Sequence, residues 1–354
     1  MENEIFIDKL RWKATFEGFL IRDCTLGCDE NRMGFLLIQD LGDTHRENGW
    51  QTRFVSVKLD EPMKTRFFYM TGNDLTTASL TSAWLPNQAE FVVADLAMKV
   101  WSCRPPVFAG EEAPISFDGI GYGYKSIGAV GGVAYKVVRV DDTIYAVGAH
   151  FRIFERLPNQ QWKEQKEIPL LPGLSSNEHD KITQAISEGD CYDLNGFSKN
   201  DIYAVGGGGT VWHFNGVTWK NLPFPTSHRL LTVTCGGDGF VYITDICGSL
   251  WKGRNSTWQR ISLRSQSLPF ADAAWYMGTL WCANDYGMLI LEGNELVAIH
   301  QSRNHRAPAD IAMVSHRIDV APDGRKMLVC GAHGAAIHDG TCWKMLFSDD
   351  DFSD

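Results

Sequence analysis

The sequence predicts an all-β protein, a single β-propeller with seven blades of four antiparallel strands each. Three observations carry the prediction. A strand–turn–strand unit recurs along the chain, the composition is rich in strand formers and turn formers together, and four further strand-like runs precede the first recognisable repeat. Of 354 residues, 44% are hydrophobic and 12% aromatic, with 34 glycines and 12 tryptophans, a mixture that suits short strands joined by tight turns. A chain of this length would otherwise suggest two domains of roughly 150 residues each. Repeat folds override that expectation, because each added blade extends one layered core.

The best-formed repeat runs from Asp201 to Leu222. An apolar strand, Ile202-Tyr-Ala-Val, ends in Gly206; a second strand, Thr210-Val-Trp-His-Phe, follows; Asn215-Gly216 reverses the chain; and a third strand leaves with Trp219. Asn-Gly between two such strands is a strong hairpin signal, since both central residues of the turn need positive φ. The same register returns from Thr143 with Trp162, from Phe240 with Trp258, and from Lys326 with Asp339-Gly340 as the turn and Trp343. It is weaker from Thr279, where Val297 stands near the tryptophan position, and weakest from Glu90, whose last strand is unclear.

Another short apolar strand precedes most copies, as in Leu231–Cys235, Ala273–Tyr276 and Ile318–Ala321, so each unit has four strands. Units of this kind, spaced about 40 to 60 residues apart, match propeller blades and not helical solenoids. A lone twisted sheet leaves two faces and two edges in water, and radial packing buries the faces between neighbours. The Trp of the outer strand is expected in those layers. Residues 1–75 carry runs beginning at Phe16, Phe35, Phe54 and Phe67, which is one further blade and divergent. Residues 76–347 supply six repeats, and 348–354 form an acidic tail expected to be solvated and frayed. A six-bladed ring with a separate N-terminal β unit is the alternative.

The formal net charge is −10. It argues against a nucleic-acid partner, which would need clustered Lys and Arg, and suits a basic protein partner. Acidic residues at the extreme N-terminus stand where a secretory signal needs positive charge, and no apolar run is long enough to span a membrane. A cytoplasmic protein that engages no membrane is therefore expected. Its nine cysteines are an odd number and are expected as reduced thiols. Cys24 and Cys28 lack a second pair or a His cluster at zinc spacing, so no metal and no cofactor is expected.

The glycine after Ile-Tyr-Ala-Val, the Asn-Gly or Asp-Gly turn and the following Trp resemble the repeats of kelch-like and related bacterial propellers. The match is good over 201–222 and 326–347 and fair over 143–164 and 240–261. It departs from true kelch repeats, since the Gly-Gly doublet is intact only at Gly206-Gly207. The Gly-His and Trp-Asp marks of WD40 repeats are missing too. Acidic stand-alone propellers of this loose type resemble immunity proteins of interbacterial toxin systems. That resemblance implies a non-enzymatic binding module whose partner is another protein, most concretely a basic toxin domain. A carbohydrate or small-molecule hydrolase or lyase acting at the channel mouth and a scaffold subunit of a larger assembly are the alternatives.

In a propeller the loops between second and third strands share one face with the blade-to-blade connections. Registering the repeats puts His150, Asp245, Asp285, Tyr286 and His333 in the first set of loops and His228, Arg229, Arg264, Arg303, His305 and Arg306 in the second. Long insertions at about 103–118 and 163–190, the latter with a helix-like stretch from Asn177, would enlarge that face. These residues are the partner-binding candidates. Turn chemistry is the competing explanation for the Asp and His positions, and 303–306 read equally as a solvated loop. No G-x-S-x-G, H-E-x-x-H or Walker-type loop occurs, so no catalytic residue is nominated.

Overall fold

Seven four-stranded antiparallel sheets, each with its strands in chain order, make up a β-propeller in the computed structural model. It describes residues 5–29, 31–42, 51–72, 75, 77–83, 90–104, 108–116, 133–168, 189–261 and 268–352. The first blade is the divergent N-terminal one, with strands Phe19–Leu26, Arg32–Gln39, Thr52–Lys58 and Phe67–Gly72. The seven-bladed reading holds, and the six-bladed alternative falls, because these four strands form a blade like the others. In the second blade the unclear last strand is Phe108–Glu111, so the supposed insertion at 103–118 is partly the blade's own outer strand. Among the described residues no helix is long and apolar enough to cross a membrane.

The chain forms two compact units: residues 1–92 with 102–110 and 271–354, and residues 93–101 with 111–270. Within each, the alternating side chains of a strand serve opposite neighbours, as the two-residue period of a strand requires. In the fourth blade, Ile202 and Ala204 pack with third-blade residues such as Tyr145 and Ile153. Tyr203 and Val205 turn the other way and pack with Val233 and Ile243 of the fifth. The seventh blade repeats the device, with Leu328 and Cys330 facing Phe35 and Val55 of the first and Met327 and Val329 facing Trp281 and Ile290 of the sixth. Second strands are therefore apolar throughout. Trp219, Trp258 and Trp343 lie in these layers, as their outer-strand positions led one to expect.

The glycine that closes Ile-Tyr-Ala-Val has a steric cause. A Cβ on Gly206 would stand 1.9 Å from the Asp190 carbonyl oxygen, and one on Gly148 would be 1.6 Å from that of Val133. Both carbonyls belong to the connection entering the glycine's own blade, and they accept the N–H groups of Gly207 and Ala149. Only glycine lets the two backbones approach so closely.

A carboxylate on the first strand of one blade repeatedly accepts a backbone N–H from the first strand of the next. Asp23 accepts from Leu80 at 2.8 Å, Asp193 from Val233 at 2.9 Å, Asp272 from Ile318 at 3.1 Å, and Asp319 from Leu26 at 2.7 Å. Asp319 also accepts from the Thr25 hydroxyl at 2.8 Å, and so ties the last blade to the first. The seam between them is apolar elsewhere: Phe347 lies 4.6 Å from Phe16 and 6.1 Å from Phe35, centroid to centroid.

The C-terminal segment corrects the expectation of a frayed tail. Ser348 and Asp351 form a reciprocal cap over the turn Asp349–Asp351. Phe352 stacks on Trp12 of the helix Lys9–Thr15 at 4.8 Å. Apolar contact holds this segment although it carries three aspartates, of which Asp350 and Asp351 are exposed and Asp349 is half-buried against His333.

The seam predicts a graded response. Replacing Asp319 by Ala strands the Leu26 N–H and should lower the unfolding free energy by about 1–3 kcal/mol, whereas Asn, which keeps an acceptor, should cost less. Urea unfolding of the two variants measures the difference. Equal losses for Ala and Asn would show that the hydrogen bond is not what matters.

Candidate functional site

Loops between second and third strands meet the blade-to-blade connections at one end of each sheet. In the first unit they frame an open cavity of about 800 Å³ between the sixth, seventh and first blades, lined by Arg22, Asp285, Asp310, His316, His333 and Asp351 among others. His316 Nδ1 lies 2.7 Å from Asp285 Oδ1, and His333 Nδ1 lies 2.9 Å from Asp349 Oδ2. Each pair joins a loop to the segment that follows it around the fold. Asp310, Asp350 and Asp351 are exposed at the rim, and Tyr286 stands free at the loop tip with 70% of its surface open. The lining is acidic, with two imidazoles and a guanidinium inside it.

Burial sets the titration of the cavity's groups. It holds His316 below the ordinary histidine range, helped by the Arg317 charge and opposed by Asp285. Burial also raises the Asp349 carboxyl, against the pull of His333. At neutral pH the His316 imidazole is uncharged.

In the second unit the same kind of loops gather a different set. Asp190 accepts the Tyr135 hydroxyl at 2.7 Å and the His150 N–H at 3.2 Å. The Tyr135 ring stacks on Tyr192 at 5.4 Å, and the Arg229 guanidinium sits 5.2 Å above Tyr192. Burial, reinforced by Asp190, raises the Tyr135 phenol far above its usual value. Beside Arg229, His228 Nδ1 approaches Asp245 Oδ2 at 3.5 Å. Asp245 is wholly buried, and its Oδ1 closes the loop by accepting the Cys247 and Ser249 N–H groups, each at 2.9 Å.

The candidates read from the sequence separate accordingly. Asp285 and His333 line the first cavity, with the exposed Tyr286 next to Asp285 in the chain, and His228, Arg229 and Asp245 cluster in the second unit. His150 differs: it is 2% exposed and holds φ +60°, where the fourth blade has Gly208 at +61°. Its imidazole fills a turn and is not displayed. Burial holds it, too, below the ordinary range, against the pull of Asp190. Arg303 is drawn away, since its N–H and the Ser302 hydroxyl bond to Glu292, at the opposite end of strand Gly287–Glu292 from Asp285. His305 follows it and lies 5.7 Å from the Trp281 ring, with the exposed Arg306 next in chain. The connection folds back along the blade, which loop length alone could not reveal. Arg264 and the stretch from Asn177 to Glu188 lie outside the described residues.

Sequence reasoning missed Tyr135, Asp190, Tyr192, His316 and Arg22. A signal was present for the tyrosines, which occupy the second position of consecutive first strands, Ala134–Val140 and Cys191–Ser198. His316 carried none, because its partner Asp285 is 31 residues away.

No family model matches the chain. Over 193 residues, 54% of its length, it is 26% identical to the immune protein Tsi7 of Pseudomonas aeruginosa, and the match takes in 60% of that protein. The chain resembles a propeller immunity protein. Among solved structures it is similar to YCF48 bound to D1 peptide, with a TM-score of 0.58, 13% identity, and 93% and 94% of the two chains covered. It is similar also to virginiamycin B lyase from Staphylococcus aureus, with a TM-score of 0.54 and 11% identity over 77% and 85%. At such identities these two likenesses speak to the fold alone.

Three imidazoles that burial lowers, those of His150, His316 and His338, give stability a pH dependence of known sign. Their folded values lie below the unfolded one, near 6.5, so the unfolded chain binds protons first and stability falls as pH drops below that value. Urea midpoints should decline between pH 7 and 5.5, and His316→Gln should flatten the decline. An unchanged slope in that variant would contradict a depressed His316.

Proposed function

We propose that this propeller is a non-enzymatic binding protein whose partner is an antibacterial toxin that it neutralises. One observation carries the reading: the similarity to the immune protein Tsi7 over 193 residues. The geometry supports it. Asp285, Asp310, Asp350 and Asp351 crowd one open cavity, and a chain of net charge −10 attracts a basic partner over distance. Tyr286 beside them is an exposed aromatic of the kind that anchors protein interfaces.

The test is protection. Expressing this chain in cells that also make the product of the neighbouring gene should restore their growth, and the two proteins should purify as a complex. Association should slow as salt rises, because screening weakens steering. The triple variant Asp310→Asn, Asp350→Asn, Asp351→Asn should lower the association rate about tenfold at low salt and little at high salt. Neither protection nor a complex would end the proposal, and an association rate indifferent to salt would remove its electrostatic part.

A further inference from the structure

We infer that His228, Asp245 and Cys247 form a binding site for a zinc-class divalent cation, with open coordination positions toward solvent. A ring nitrogen of His228, a carboxylate oxygen of Asp245 and Sγ of Cys247 all lie within 4.8 Å of one another. Nitrogen, oxygen and sulfur donors together suit Zn²⁺, which takes imidazole and carboxylate at about 2.0–2.2 Å and thiolate at about 2.3 Å. Ligands of one tetrahedral ion at those lengths stand roughly 3.3–3.6 Å apart. The 3.5 Å between His228 Nδ1 and Asp245 Oδ2 is long for a hydrogen bond and right for two ligands of one ion.

The surroundings are built to hold the set. Asp245 Oδ1 is committed to the loop N–H groups of Cys247 and Ser249, which fixes the carboxylate and leaves Oδ2 turned to the histidine. Trp251 Nε1 donates to that same Oδ2 at 3.3 Å, the type of outer support that orients a ligating carboxylate. The two loops are tied to each other by the Ile246 N–H on the Arg229 carbonyl at 2.9 Å. His228 and Cys247 are both exposed, so small side-chain rotations suffice to bring their donors onto an ion anchored by the buried carboxylate. Cys247 would bind as thiolate and release its proton to water. With three protein ligands the fourth tetrahedral position is left for water or for a side chain of a bound molecule.

The experiment is titration of the reduced full-length protein with Co²⁺ and then Zn²⁺. One equivalent of Co²⁺ should produce a thiolate-to-cobalt charge-transfer band with intense tetrahedral d–d absorption, and Zn²⁺ should displace it. His228→Ala and Cys247→Ser, both at exposed positions that spare the fold, should each weaken binding at least about tenfold. The double variant Cys28→Ser, Cys342→Ser removes the other exposed thiols and should leave the band intact. Absence of the band in the parent protein would overturn the inference. So would its persistence in Cys247→Ser, or its loss with Cys28 and Cys342; the first of these would leave His228 and Asp245 as a plain imidazole–carboxylate pair.

Discussion

A β-sheet with two apolar faces must be covered on both, and the carboxylates that tie first strand to first strand decide how that covering is registered. Apolar packing between blades is strong but indifferent to sliding. A buried N–H that must find its acceptor is not indifferent. Asp23, Asp193, Asp272 and Asp319 each accept from the following blade in the same sense, so one contact repeated sets the stagger of neighbouring sheets. The alternation of Tyr203 and Val205 against Ile202 and Ala204 then falls into place as a consequence. Loop ends are brought together by that same stagger, which is how His316 meets Asp285.

Legibility follows the range of the interaction. The hairpin at Asn215-Gly216, the tryptophans at 162, 219, 258 and 343 and the blade count were readable because each depends on local spacing repeated along the chain. The fourth strand of the second blade was not, since Phe108–Glu111 carries no tryptophan in register. The docking of Phe352 on Trp12 joins the two ends of the sequence, and nothing in the three aspartates between Ser348 and Phe352 announces it. Asp285 and Tyr286 stand in the loop the sequence assigned them, because the repeat register fixes where a loop begins. Arg303 and His305 were misjudged because a connection's length does not say which way it runs.

The site chemistry divides by unit. In one, exposed aspartates surround a cavity where burial keeps His316 neutral, an arrangement suited to receiving positive charge. In the other, stacked tyrosines under Arg229 adjoin a donor set of nitrogen, oxygen and sulfur. Both clusters are held by hydrogen bonds between loops.

One end of the blades is the proposed binding surface, and amide hydrogen exchange of the complex against the free chain tests it most directly. Protection is expected in the turn at Asp285–Gly287, around Asp310–His316 and at His333. Protection confined to the turns at the opposite strand ends, Glu292–Glu295 and His338–Gly340, with the first group unchanged, would contradict it.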